Sequence, residues 1–325
     1  MKCIKPPSLI KLAILYWCVG VFYSCNTKLE IELPDPEPKL VLNALITPFT
    51  PPYSSNFRVQ LFPNYPILDT TKSTQITDAL VLWFQNGILI DTLTFNTDHK
   101  GYTLPFFYFP EVGQDYSIQV SKEGFLPIKA SNSIPNKVEI DTVITSPLAG
   151  LNNEMSAYSS IAISFIDPKD EENYYEIIVS RIGEANEGAY KLWTSEQIIT
   201  EEPYYPSDLS LDKENPRRLL FCDAKINGSK KTIVVYYEPP QSEDPYKRWI
   251  SRHIIDIYLR SVTQEYYKHF TSVLLHQNSR EGDLFYGIGE PVNAYTNVEN
   301  GYGILAGYHN VVRTELIDTA TVYIK

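Results

Sequence analysis

The chain is poor in cysteine, glycine and positive charge. Its 325 residues include four cysteines, 15 glycines and 28 Lys+Arg against 39 Asp+Glu. The formal net charge of −11 excludes the basic patch that a phosphate backbone needs, so no nucleic-acid partner is expected. The cysteines, Cys3, Cys18, Cys25 and Cys222, offer no pair at zinc-site spacing. The histidines are His99, His253, His269, His276 and His309, and no two of them form His-Glu-x-x-His. His269 and His276 sit two turns apart on a predicted helix, about 10 Å at 1.5 Å per residue, too far for one metal. The Gly-x-Ser-x-Gly elbow of the esterases is missing. Carboxylates abound, but nothing singles out two of them as a glycosidase pair. No cofactor, metal or catalytic residue is expected.

What the chain does contain begins with an address. Lys2, Lys5 and Lys11 precede an apolar run from Leu12 to Tyr23, and no acid appears before Glu30. Twelve apolar residues suit the h-region of a signal peptide and fall short of the ~20 that span a bilayer. The run ends in Ser24-Cys25, a small residue before a cysteine, as at a bacterial lipoprotein cleavage site. Phe22-Tyr23 departs from the usual leucine and small residue there. Residues 1–24 therefore read as a lipoprotein signal and Cys25 as the lipidated residue. The alternatives are an ordinary secretory signal or an uncleaved anchor. Cleavage would leave Cys222 as the one free thiol, read as buried and inert within Leu219-Leu220-Phe221-Cys222. The leader holds three of the lysines and no acid, so the mature net charge is −14. Acyl chains, at ~0.8 kcal/mol per methylene, are then the expected membrane contact. Residues 25–38 are acidic and proline-rich and read as an extended tether.

Length gives a prior of two domains. Hydrophobic residues at 43%, with 24 Tyr and 23 Pro, point to a globular chain of strands and loops. In residues 39–135, short alternating runs are separated by turn signals. Examples are Leu40 to Ile46, Phe57 to Leu61, Ala79 to Phe84, and Ile88 to Leu93 after the hairpin dipeptide Asn86-Gly87. They predict an immunoglobulin- or transthyretin-like sandwich of about seven strands, with Gly113 to Phe125 forming its closing hairpin. Residues 136–325 predict a second β-rich domain, with strands at Ile161 to Phe165, Tyr174 to Ser180, Thr232 to Tyr237 and Ile254 to Leu259. Its one helix, near 261–277, puts Val262, Tyr266, Phe270, Val273 and Leu274 on one face, with Ser261 or Thr263 as cap. A last strand is expected near Thr319 to Ile324. Gly301, Gly303 and Gly307 predict close backbone approach; a phosphate cradle would need a strand-glycine-helix order.

Two surface features could bind. Asp167, Asp170, Glu171 and Glu172 could hold calcium through their oxygens, or simply form a solvated turn. Trp193 and Tyr204-Tyr205 flank a loop-like stretch and are the candidate ligand or partner contacts, by stacking on sugars or filling a partner's pocket, the alternative being that they pack in the core.

Several of these segments together resemble a known family. They are the cysteine signal, the stretch Leu33-Pro34-Asp35-Pro36-Glu37-Pro38-Lys39-Leu40-Val41, the Ser261-x-x-x-Glu265-Tyr266-Tyr267 helix, and Asn297-x-x-Asn300-Gly301-x-Gly303-x-x-x-Gly307. Over nearly the whole mature chain this resembles the domain-of-unknown-function 4249 family of Bacteroidota outer-membrane lipoproteins. Tyr302 and Leu305-Ala306 depart mildly from the family's pattern. The resemblance implies a lipid-anchored protein, facing the cell exterior, that partners a TonB-dependent outer-membrane receptor in nutrient capture or import. It carries no catalytic residue. An adhesin or envelope structural protein is the alternative expectation, and a hydrolase with a site scattered over loops is a third.

Overall fold

A computed structural model describes residues 37–48, 57–64, 74–104, 108–152, 156–184, 187–206, 215–240, 252–280 and 292–318. The leader, Cys25, nearly all of the tether and the segment 319–324 lie outside the described residues. Pro38–Lys325 forms one compact unit.

The chain is mostly β, as its alternating runs predict, with two sheets and two helices among the described residues. The first seven strands are β1 (Leu40–Ile46), β2 (Val59–Pro63), β3 (Leu80–Gln85), β4 (Ile88–Asn96), β5 (Gly101–Thr103), β6 (Asp115–Ser121) and β7 (Ile128–Ser133). Period-two alternation turns Leu40, Leu42, Ala44 and Ile46 inward on β1. They meet Val59, Leu61, Val81, Trp83, Tyr116 and Ile118 in one apolar core. The Trp83 ring lies 4.9 Å from Phe57 and 5.0 Å from Tyr116. β4 changes partner along its length: Ile88 to Leu93 pair with β3, and Thr94 to Asn96 pair with β5. Asn86 and Gly87 take φ of 49° and 78°, the left-handed pair that a two-residue hairpin turn requires.

The second half adds β8 (Ile140–Leu151), β9 (Ala157–Ile166), β10 (Tyr174–Arg181), β11 (Leu192–Trp193), α1 (Gln197–Thr200), β12 (Leu219–Cys222), β13 (Lys230–Tyr237), β14 (His253–Val262), α2 (Gln264–Arg280) and β15 (Tyr302–Ile317). β11, β13, β9 and β8 form a four-stranded sheet in that order. Its inner side chains, Ile161, Ile163, Phe165, Ile233 and Val235, pack on Tyr175, Ile177, Phe221, Ile257 and Leu259 of β10, β12 and β14. The opposite face of β10, β12 and β14 is covered by α2 through Tyr266, Phe270 and Leu274. A strand covered on both faces reads as a continuous run, and β10 and β14 do.

The helix starts three residues later than expected. Ser261 and Val262 stay in β14, and the Ser261 hydroxyl accepts the Val138 N–H at 3.1 Å. Thr263 is the cap: its carbonyl accepts Tyr267 N–H at 3.0 Å and its hydroxyl faces Tyr266 N–H at 3.5 Å. Val273 is not part of the apolar cluster, whose helix members also include Tyr267 and Leu275.

The last described strand is the glycine stretch itself. Tyr302 to Gly307 of β15 pair in parallel with β1, and Tyr308 to Ile317 pair antiparallel with β14. One strand thus serves both halves, and the expected division near residue 135 falls between β7 and β8. The glycines are there for close approach. Gly303 has φ +98°, and a Cβ on it would stand 2.0 Å from the Leu42 carbonyl oxygen. A Cβ on Gly307 would stand 1.8 Å from the Ser133 carbonyl oxygen.

Candidate binding surface

The most charged buried cluster lies beneath α2. Glu176 on β10 is fully buried. It accepts Arg260 Nη1 at 2.7 Å, Arg218 Nη1 at 2.9 Å and the Tyr266 hydroxyl at 2.9 Å. Arg260 also donates to Asn310 Oδ1 at 2.7 Å and lies over the Tyr308 ring at 4.9 Å. Arg218 covers the Phe270 ring at 4.8 Å. Burial alone would raise the Glu176 carboxyl, but the two guanidinium groups outweigh it and hold it below its ordinary value. The carboxylate therefore stays ionised and ties β10, β14 and α2 together. Sequence reasoning did not single it out; the signal was a charge at the centre of an otherwise apolar, doubly covered strand.

The acids around residue 167 divide. Asp167 turns inward, where it accepts the Tyr175 hydroxyl and the Gly228 N–H at 2.9 Å. Asp170, Glu171 and Glu172 stay at the surface, with Glu172 accepting the Tyr174 hydroxyl at 2.6 Å. No group of three His, Cys, Asp or Glu side chains able to hold a metal occurs among the described residues. The helix histidines serve as latches. His269 Nδ1 meets the Tyr295 carbonyl at 2.6 Å, and His276 Nδ1 meets that of Val292 at 2.7 Å. Burial pushes the His269 ring below its ordinary value, so it is neutral at pH 7.

The three aromatic residues proposed as contacts part company. Tyr204 is 1% exposed. Its hydroxyl accepts Leu220 N–H at 2.6 Å and donates to Leu220 O at 2.8 Å, so it completes the backbone pairing of β12 and offers no surface. The Tyr205 hydroxyl does the same for Thr194, with contacts of 3.0 and 3.1 Å. Of the two sequence readings of this pair, ligand contact or packing, the observed hydrogen bonds favour packing: among the described residues, the phenol groups take up backbone groups that no neighbouring strand pairs. Cys222, expected buried, is half-buried beside α2.

Trp193 is different. Its register partner is Tyr236, so both rings stand on the outer face of the four-stranded sheet and stack at 6.0 Å. Tyr158 meets Trp193 edge-on at 5.4 Å and Tyr236 at 5.7 Å. Its ring lies across β8 at Gly150, where a Cβ would come within 2.4 Å of the phenol oxygen. The small residues Ser160, Ala162 and Ser164 continue this face, which carries Ile144 and Ile166 at 68% and 60% exposure. Such a ledge can bind by stacking and apolar contact. Tyr158 and Tyr236 were not foreseen, because the register that sets Tyr236 beside Trp193 joins strands distant in sequence.

No helix among the described residues is long and apolar enough to cross a membrane. No curated protein matches the chain. The family model Domain of unknown function (DUF4249) matches residues 26–314, and the chain belongs to that family.

Proposed function

We propose that this protein is a non-catalytic lipoprotein of the bacterial outer membrane. It is anchored through Cys25, faces the cell exterior, and acts with a TonB-dependent receptor in nutrient capture or import. The observation that carries this reading is the Lys-rich leader, twelve-residue apolar run and Ser24-Cys25 junction at the head of a chain whose family match starts at residue 26. The compact unit starts at Pro38, so a short acidic tether is all that separates it from the lipidated residue. The mature charge of −14 sets the body against anionic headgroups and leaves the acyl chains as the anchor. Two finer readings go with it. The change of partner along β4 supports a two-layered, immunoglobulin- or transthyretin-like arrangement of the first seven strands. The ledge around Trp193 supports a binding role for that face.

The test is affinity purification of the tagged protein from outer membrane, with Cys25→Ala as control and protease shaving of whole cells. Co-purification of a TonB-dependent receptor, together with shaving sensitivity, is expected. Recovery of the protein alone, protected from protease, would overturn both the partner and the orientation.

A further inference from the structure

The β3–β4 hairpin ends in an apolar tip that stays exposed among the described residues. Successive strand residues point to opposite faces, yet Ile88, Leu89 and Ile90 are 68%, 51% and 39% exposed. Both faces of the strand therefore stand clear of the core. Among the described residues, Ile88 to Leu93 pair with β3 alone, because β5 pairs with β4 from Thr94 onward. Beside the tip, a cavity of about 510 Å³ is lined by Gln85, Phe109 and Glu111, with Phe109 44% exposed. An exposed apolar edge of this kind is a hazard unless it has a use.

The charges around the tip say what could cover it. Asp91 follows Ile90. Asp115 is hydrogen-bonded across the turn to Asn86, at 2.8 and 3.0 Å. Glu111 lines the neighbouring cavity. Asp115 and Glu265 share a second groove with Gly87, where Lys129 is the one cation among the lining residues. Acids thus outnumber bases around an apolar centre. An anionic bilayer is repelled by such a rim, and a second copy would bring the same acids against themselves. Strand addition is blunted as well, since the Asp91 carboxylate takes up the Thr92 N–H at 2.7 Å. What remains complementary is an apolar cleft bordered by Lys or Arg.

We infer that the Ile88–Ile90 tip is a docking element for a partner protein that presents an apolar cleft with a basic rim. The inference holds whatever the partner's identity. A photo-crosslinking residue is placed at Leu89, and in a control chain at Ile182, which is 54% exposed and lies off the four-stranded sheet, in the full-length lipoprotein in intact cells. The adduct is identified by mass spectrometry, and the identified protein is purified and titrated at two salt concentrations. It is titrated against wild type, an Ile88→Ser/Leu89→Ser/Ile90→Ser variant and an Asp91→Asn/Glu111→Gln/Asp115→Asn variant. The expected result is a protein adduct from position 89 and not from 182. Affinity should fall at least about tenfold in the serine variant, with its melting temperature unchanged. The amide variant should bind more slowly and with a weaker salt dependence. If the serine variant is unstable, Leu89→Ser alone replaces it. No adduct, an adduct to lipid or to a second copy, or binding unchanged by both variants overturns the inference. A partner other than a TonB-dependent receptor, with no such receptor co-purifying, would uphold the tip while refuting the transporter reading. A receptor that co-purifies without crosslinking at 89 would do the reverse.

Discussion

The two regions that share β15 are held together by different chemistry. Around β1 to β7 the buried side chains are almost all apolar, and Thr47 is the one buried polar residue before residue 136 among the described residues. Beyond it, buried Asp167, Glu176, Asp223, Asp256 and Arg260 are woven into the core, each hydrogen-bonded within the fold, Asp223 by accepting Asn173 N–H at 3.0 Å. Asp256, for example, accepts Gly183 N–H at 2.8 Å and the Thr314 hydroxyl at 2.6 Å. An apolar core tolerates exchange among hydrophobes of similar volume. A buried ionic core does not tolerate loss of one member, because the survivor is left charged and unpaired. The first region should therefore yield gradually to mutation and the second abruptly.

The largest effect is expected where the regions meet. Gly307 lies at the point where β15 passes from β1 to β14, its carbonyl accepting Thr263 N–H at 3.0 Å. A methyl group at Gly307 would strike the Ser133 carbonyl, a backbone atom that cannot turn aside. Gly307→Ala should cost more than about 3 kcal/mol, beyond ordinary overpacking, and should uncouple the two regions. Urea unfolding followed by Trp83 and Trp193 fluorescence in single-tryptophan variants would then show two transitions where the parent shows one. Next comes Glu176→Gln, which leaves Arg260 buried without its counter-charge and should cost roughly 3–5 kcal/mol. Replacing Glu176, Arg218 and Arg260 together by Leu, Met and Met should recover most of that loss. A triple variant as unstable as the single one would mean the network does more than balance charge. In the first region the counterpart is milder. Gly87→Ala keeps φ +78° with open space around the new methyl, so about 1 kcal/mol is expected.

That contrast also explains what was legible in the sequence. Alternation on Leu40–Ile46, the Asn86-Gly87 turn and the apolar stripe of α2 are local patterns, and each was readable before the structure. The parallel pairing of β1 with β15 joins residues some 260 positions apart and leaves no local trace. The same holds for Glu176 and Arg260, 84 positions apart. The glycines of β15 were readable as sites of close approach, but not what they approach. At the candidate surface, Trp193 was recognisable as an aromatic residue near a strand end. The burial of Tyr204 was not, because it depends on an unpaired backbone edge at Leu220 that only the fold reveals.

The smallest expected effect separates the regions by pH. In the first, Asp78 is lowered chiefly by its hydrogen bond from Lys122, but it is fully exposed, so Asp78→Asn should leave the stability profile nearly unchanged. In the second, burial raises the Glu202 carboxyl above its ordinary 4.5, against the Tyr267 hydroxyl it accepts and the nearby Lys225. A raised carboxyl binds its proton more tightly in the folded state. Its contribution is therefore present at low pH and lost as pH rises through the folded value. Glu176 has the opposite sign: its lowered value stabilises above pH 4.5 and fails as pH falls through the folded value. His269 and His309, lowered by burial, also lose stability on acidification, from about pH 6.5 downward. The wild-type profile is the sum of these slopes, so the informative quantity is the difference from Glu202→Gln. Thermal melting from pH 4.5 to 7 should show the variant gaining on wild type as pH rises, because it no longer carries a buried charge beside Tyr267. A difference that is flat across this range would mean that Glu202 is solvated in the folded protein and is not one of the buried charges of the second region.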